Sequence, residues 1–174
     1  MFIGDNNVFD SMMNPSVVMK SELLTSGTSW SIPANLLNDT VWVSGISGGE
    51  GAVSFNAPAG DGGSPITKYP YDVSGGTVTY SIGSGGAGGG SNGSNTVWGS
   101  ITLIGGGASG AWGSRGSASA TGYNSDIPGF YGVDTNDPKT GSGLMFNGTQ
   151  YGFGGGGLSA GGDGCIFLEW MESV

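Results

Sequence analysis

Thr77-Val78-Thr79-Tyr80-Ser81-Ile82-Gly83-Ser84-Gly85-Gly86-Ala87-Gly88-Gly89-Gly90-Ser91-Asn92-Gly93 joins two kinds of backbone. Thr77 to Ile82 has the β-branched, aromatic character of a strand. From Gly83 the side chains almost vanish. A glycine run has two options. It can be a solvated, flexible linker, or an extended threefold helix of the polyproline II type that packs beside others of its kind. Glycine loses more conformational entropy on ordering than any other residue, so the packed option requires lateral partners to bond its peptide groups. Two further tracts, 105–116 and 152–164, have similar length, and each adjoins a predicted strand. The second runs straight into Cys165-Ile166-Phe167-Leu168. This tethering favours lateral bundling over linkers.

Composition supports a folded chain. Glycine makes up 39 of 174 residues without the strict third-residue period of collagen. Yet 36% of residues are hydrophobic, with five Trp, seven Phe and six Tyr, a content that disordered chains lack. The length suits one domain. The formal net charge is −9, and Lys20, Lys68, Arg115 and Lys139 are scattered. Without a basic stripe to neutralise phosphates, nucleic acid is not an expected partner. No apolar run is long enough to cross a bilayer, and no basic segment leads into an apolar one at the start, so neither membrane insertion nor a signal peptide is expected. Cys165 reads as a buried small hydrophobe.

Residues 1–24 contain Met12, Met13, Val17, Val18, Met19, Leu23 and Leu24 with one glycine, and read as an arm for docking or oligomerisation. Residues 25–174 read as an all-β domain. Its strands are expected at 28–32, 40–46, 52–55, 67–73, 77–82, 100–104 and 165–171. Trp30, Trp42, Trp98 and Trp170 are expected to pack in a core or interface.

Four landmarks occur in order. Thr28-Ser29-Trp30-Ser31-Ile32-Pro33-Ala34 precedes Val41-Trp42-Val43-Ser44-Gly45-Ile46-Ser47-Gly48-Gly49. Ile66 to Val73 is followed by Thr77 to Gly83, which runs into glycines. Asn95 to Ile104 leads to Gly105-Gly106-Gly107, and Gly161 to Trp170 closes the series. In this order the chain, over residues 25–172, resembles the glycine-rich domain found near the ends of bacteriophage tail fibres and other tail proteins. The resemblance implies a small β-sandwich-like domain with packed polyglycine II-type helices, in which Ile66 to Val73 and Thr77 to Gly83 form a two-strand hairpin. It also implies a homotrimer located in the virion tail and made in the host cytoplasm. Two departures are a short first tract interrupted by Glu50, Phe55 and Pro58, and a glycine-poorer insertion at 117–151.

Motifs for chemistry lack their context. Gly83-Ser84-Gly85-Gly86-Ala87-Gly88 fits a dinucleotide fingerprint but opens no helix. Gly45-Ile46-Ser47-Gly48-Gly49 and Gly89-Gly90-Ser91-Asn92-Gly93 fit a nucleophile elbow, but the chain has no histidine to act as base. That absence, with a single cysteine, also removes the usual zinc sites. Neither a cofactor nor a metal is expected. Asp134, Asn136 and Asp137 cluster oxygen ligands without the glycine and terminal glutamate of a calcium loop.

A bundle of glycine helices presents few side chains, so recognition falls to loops and insertions. The region of about 108–153 supplies Trp112, Tyr123, Asn124, Asp126, Phe130, Tyr131 and Tyr151, a mix suited to stacking on sugars or gripping a protein loop. The function expected is non-enzymatic attachment to a host surface glycan or outer-membrane protein, alongside other virion tail proteins. The alternatives are a purely structural protein that joins or caps tail components and, for a carboxylate pair such as Asp126 with Asp134, a capsule depolymerase.

Overall fold

The computed structural model of the chain describes residues 16–53, 60–107, 143–146 and 148–174. All its regular elements are strands: β1 (Val17–Leu24), β2 (Ser29–Ser31), β3 (Leu36–Ile46), β4 (Pro65–Asp72), β5 (Thr77–Ser81), β6 (Thr96–Trp98), β7 (Ile101–Leu103), β8 (Leu144–Phe146), β9 (Thr149–Tyr151) and β10 (Cys165–Ser173). Period-two burial accompanies them. On β5, Val78 and Tyr80 are buried while Thr77, Thr79 and Ser81 are exposed, so one face of the strand supplies the core.

Two antiparallel four-stranded sheets have the orders β1-β10-β3-β4 and β2-β5-β6-β7, and β8 with β9 forms a separate hairpin. One apolar core draws on both sheets: Leu24, Val41, Val43, Ile66, Ile166, Leu168 and Trp170 from the first, and Trp30, Val78, Tyr80, Trp98, Ile101 and Leu103 from the second. The arrangement is a small β-sandwich. Trp30 lies at its centre, 5.7 Å from the Trp98 ring and edge-on to Trp170 at 5.5 Å. Its indole N–H donates to Glu22 at 2.9 Å, which settles the polar end of a buried aromatic. Trp42 differs from the other three strand tryptophans: it is half-buried and points to the opposite face of the sheet.

Several sequence expectations shift. β4 and β5, expected as a hairpin, do not pair with each other: β4 pairs with β3 and β5 with β2 and β6, in different sheets. Val17–Leu24, read within the arm, forms edge strand β1 along β10. Ala52 and Val53 are not in a strand, because the Ala52 N–H bonds across to Ser159 in a glycine-rich segment. β6 and the β8–β9 hairpin were not among the expected strands.

Candidate functional site

Beyond β3 the chain continues as Ser47-Gly48-Gly49-Glu50-Gly51-Ala52, and burial is unbroken from Val43 to Ala52. Ten buried residues in a row exclude a sheet face open to water and require every peptide group to find a partner. The partners follow a three-residue period. Ser47 and Glu50 donate to Ser64 and Asp61; Gly48 and Gly51 donate to Ser94 and Ser91; Gly49 and Ala52 donate to Gly162 and Ser159. Successive N–H groups therefore point to three different neighbours and return to the first after one turn. The carbonyls turn in the same way toward three others, with Gly48 accepting from Gly106, Gly49 from Gly86, Glu50 from Gly155 and Ala52 from Gly89.

The six neighbours close a ring around segment 47–52. Segment 60–64 bonds 152–156 (Gly60 N–H to Gly155, Gly63 to Gly152), and 152–156 bonds 159–164 (Gly152 to Asp163, with Gly162 returning to Phe153). Next, 159–164 bonds 83–89 (Gly161 to Gly86, Gly164 to Gly83), and 83–89 bonds 91–95 through Ser94 to Ser84. Gly93 to Gly106 links 91–95 with 104–107, and Ser64 to Ile104 completes the circuit. Chain direction alternates around the ring. Segments 83–89, 104–107 and 152–156 leave strands β5, β7 and β9, as the central segment leaves β3; segments 60–64, 91–95 and 159–164 return into β4, β6 and β10. The centre thus gives its N–H groups to returning segments and takes bonds from outgoing ones.

Glycine is required here by contact. A β-carbon on Gly48 would meet the Ser84 carbonyl oxygen; on Gly49, that of Phe153; on Gly51, that of Ala87. Ring glycines are equally close, with Gly63 against Ser47, Gly93 against Gly48, Gly154 against Gly60 and Gly161 against Gly49. In each case the obstacle is backbone, which cannot swing aside. Positive φ is needed where a tract reverses: Gly89 (97°) and Gly90 (84°) turn segment 83–89 into 91–95, and Gly157 (65°) does so between 152–156 and 159–164. Each of these two tracts is therefore a pair of antiparallel segments.

The polar residues among the glycines add side-chain hydrogen bonds to the peptide groups of the bundle. Ser47, fully buried, donates its hydroxyl to the Ile104 carbonyl and accepts the Ser64 N–H at 2.8 Å. Buried Glu50 accepts the Asp61 N–H through Oε2 at 2.9 Å. Thr96 accepts from Gly83 at 2.9 Å and donates to Ile46 at 3.1 Å, at the junction of sandwich and bundle. On the outside, Asp163 accepts from Gly85, Ser94 from Ser84 and Asn95 from Gly105 at 2.7–2.9 Å. Ser47, singled out by the nucleophile motif, is thus committed to two structural bonds in a site without solvent access. Cys165 is likewise fully buried where β10 begins, and burial pushes its thiol up to about 12.

The strands occupy one end of the bundle. Its far end carries Val53, the Gly89–Gly90 turn, Leu158 and Gly107. Val53 is 56% exposed and Leu158 48%, the most exposed large hydrophobic side chains among the described residues of the bundle. A β-carbon on Gly90 would touch Val53, and one on Gly88 the Leu158 carbonyl, so these residues gather on one surface. Sequence reading passed over both. Leu158 was the more legible, as a lone large apolar residue after four glycines that no side chain within a tract can cover. Of the expected recognition residues, Trp112, Tyr123, Asn124, Asp126, Phe130 and Tyr131 lie outside the described residues. Tyr151 sits at the strand end of the bundle, half-buried against Ile46, Leu144 and Cys165. A scan against protein-family models and searches of curated proteins and of solved structures found no match to this chain.

Proposed function

We propose that this chain is a non-enzymatic component of a bacteriophage tail, that its glycine-rich segments are polyglycine II-type helices, and that the far end of their bundle faces the host surface. One observation carries the reading: the three-residue period of bonds from segment 47–52 to six neighbours, which is how threefold chains without side chains pack. Such a bundle is rigid and presents side chains at its far end, where loops can change without disturbing the packing. Segment 104–107 ends there, and residues Trp112 to Tyr131 follow it in sequence. Attachment there needs rigid presentation and no reacting group.

A cryo-electron microscopy map of the virion tests this. The bundle tip outermost on the tail, together with blocked phage adsorption by the purified chain, supports attachment. A bundle enclosed on all sides by other tail proteins overturns it and leaves a structural joint. Degradation of capsule by the purified chain would overturn the non-enzymatic reading.

A further inference from the structure

The two edges of the sheet β1-β10-β3-β4 differ in kind. On β4, Pro65 and Pro70 carry no N–H, Lys68 adopts φ 47°, and the pairing with β3 shifts register between Val43 and Gly45. Prolines and bulges of this sort discourage another strand from adding to an edge. β1 has no such guard. Its eight residues run in unbroken register with β10, without proline and without positive φ. Its side chains are exposed from Val17 to Glu22, with Val17 at 51% and Met19 at 55%.

Which backbone groups of β1 are open follows from one bond. Val174 N–H donates to the Ser16 carbonyl at 2.8 Å, and continuing the β1–β10 register sets these two residues opposite each other. Bonded pairs alternate in an antiparallel ladder, so even-numbered residues bond β10 while the N–H and C=O groups of Val17, Met19, Ser21 and Leu23 point to the open side.

We propose that β1 pairs antiparallel with β1 of a second copy about a two-fold axis at Ser21. Charge selects this register. An axis at Lys20 sets two lysines opposite each other, and one at Glu22 sets two carboxylates opposite. An axis at Ser21 sets Lys20 opposite the second copy's Glu22, twice, at the non-bonded positions where side chains come closest. It also pairs Met19 with Leu23 through odd-numbered residues whose backbone groups are open, giving about six new backbone bonds. Axes at Met19 or Leu23 shorten the overlap and match no charges. Beside the edge, Met19, Trp42 and Met171 line a shallow apolar depression, and pairing brings two such rows together on one continuous face. The two four-stranded sheets become one of eight. A two-fold contact gives pairs, in place of the trimer that the sequence resemblance implied. The inference does not depend on where the protein works.

Sedimentation velocity across a concentration series tests it with the full chain, K20E, E22K, an equimolar mixture of the two, and S21P, with folding checked by tryptophan fluorescence because Glu22 holds the Trp30 N–H. The expected result is a dimer for the parent chain and at least about tenfold weaker pairing for each charge variant, since two attractive pairs become two repulsive ones. The mixture recovers dimers, because positions 20 and 22 are then both acidic in one copy and both basic in the other, and each acid faces a lysine. S21P, which removes an open-side N–H, is monomeric whether or not E22K folds. A parent chain that is monomeric or trimeric, variants that dimerise unchanged, or a mixture of folded variants that fails to recover dimers overturns the proposal. So does concentration-independent protection of the Met19 and Ser21 amides, which would place another segment of the same chain on the edge.

Discussion

Replacing Gly49 by alanine adds one methyl group at the centre of the bundle, and its effect can be worked through atom by atom. The added β-carbon falls on the carbonyl of Phe153, with the Gly152 carbonyl 2.8 Å away. Neither is a side chain that can rotate. Overpacking in a tight interior costs roughly 1–3 kcal/mol even where side chains adjust. Here relief means moving segment 152–156 outward, which loosens the bond from Gly162 N–H to Phe153 and strains that from Gly155 to Glu50. Leaving a buried peptide group without its partner adds about 1–3 kcal/mol, so the expected total is about 2–6 kcal/mol. For a chain of this size each kcal/mol lowers the melting temperature by roughly 2–4 °C, giving a loss on the order of 10 °C. The control is Gly76→Ala, where a β-carbon meets nothing within 4 Å and φ is not left-handed. It should be neutral or slightly stabilising, because alanine restricts the unfolded chain. Thermal and urea unfolding followed by tryptophan fluorescence measure both. A Gly49→Ala protein that melts within about 2 °C of Gly76→Ala would refute the packing argument.

Three further substitutions probe other parts of the structure. Thr96→Val removes one acceptor and one donor at the bundle junction and should cost about 2–4 kcal/mol in urea unfolding, against little for Lys68→Ala, whose exposed pair with Glu169 is worth at most about 1 kcal/mol. Trp30→Ala empties the centre of the aromatic cluster and should cost about 3–5 kcal/mol, with a changed near-ultraviolet dichroism spectrum. The Cys165 thiol, held up to about 12 in the fold, keeps its proton there while the unfolded chain loses it from about 9 upward. Stability from this group is therefore full below pH 9 and falls as pH rises toward 12, and Cys165→Ala should flatten that part of the curve. Desolvation, with Glu22 nearby, raises Tyr80 in the same sense, so part of the alkaline slope remains.

Much of the sandwich was readable, because β3, β4, β5 and β10 carry alternation or apolar runs long enough to register. Of the four tryptophans expected in a core or interface, Trp30, Trp98 and Trp170 lie in the core, and Trp42, between Val41 and Val43 in an alternating strand, lies half-buried on the other face. That the glycine-rich segments bond laterally to one another was legible, and which segment bonds which was not. Segment 47–52 looked like a weak tract broken by Glu50, yet it is the centre. The signal was local: Ser47 and Glu50 stand three apart with glycines between them, and both give their N–H groups to the same neighbouring segment. Ala52 and Val53 next to Phe55 gave a β-like run that masked its continuation. The halving of tracts 83–93 and 152–164 was not legible, since one glycine reversing direction looks like any other. Recognition by Trp112, Tyr123, Asn124, Asp126, Phe130 and Tyr131 rests on residue type alone. The apolar pair Val53 and Leu158 could be located only once the bundle's far end was known.

Amide hydrogen exchange resolved by residue across Ser47 to Ala52 bears most directly on the bundle. A central chain bonded to returning segments on three sides predicts six consecutive amides as slow as those of β3, with Gly89 and Gly90 at the turn exchanging faster. Rapid exchange throughout 47–52, with β3 still protected, would contradict it: the glycine-rich segments would then be linkers hung from a sandwich.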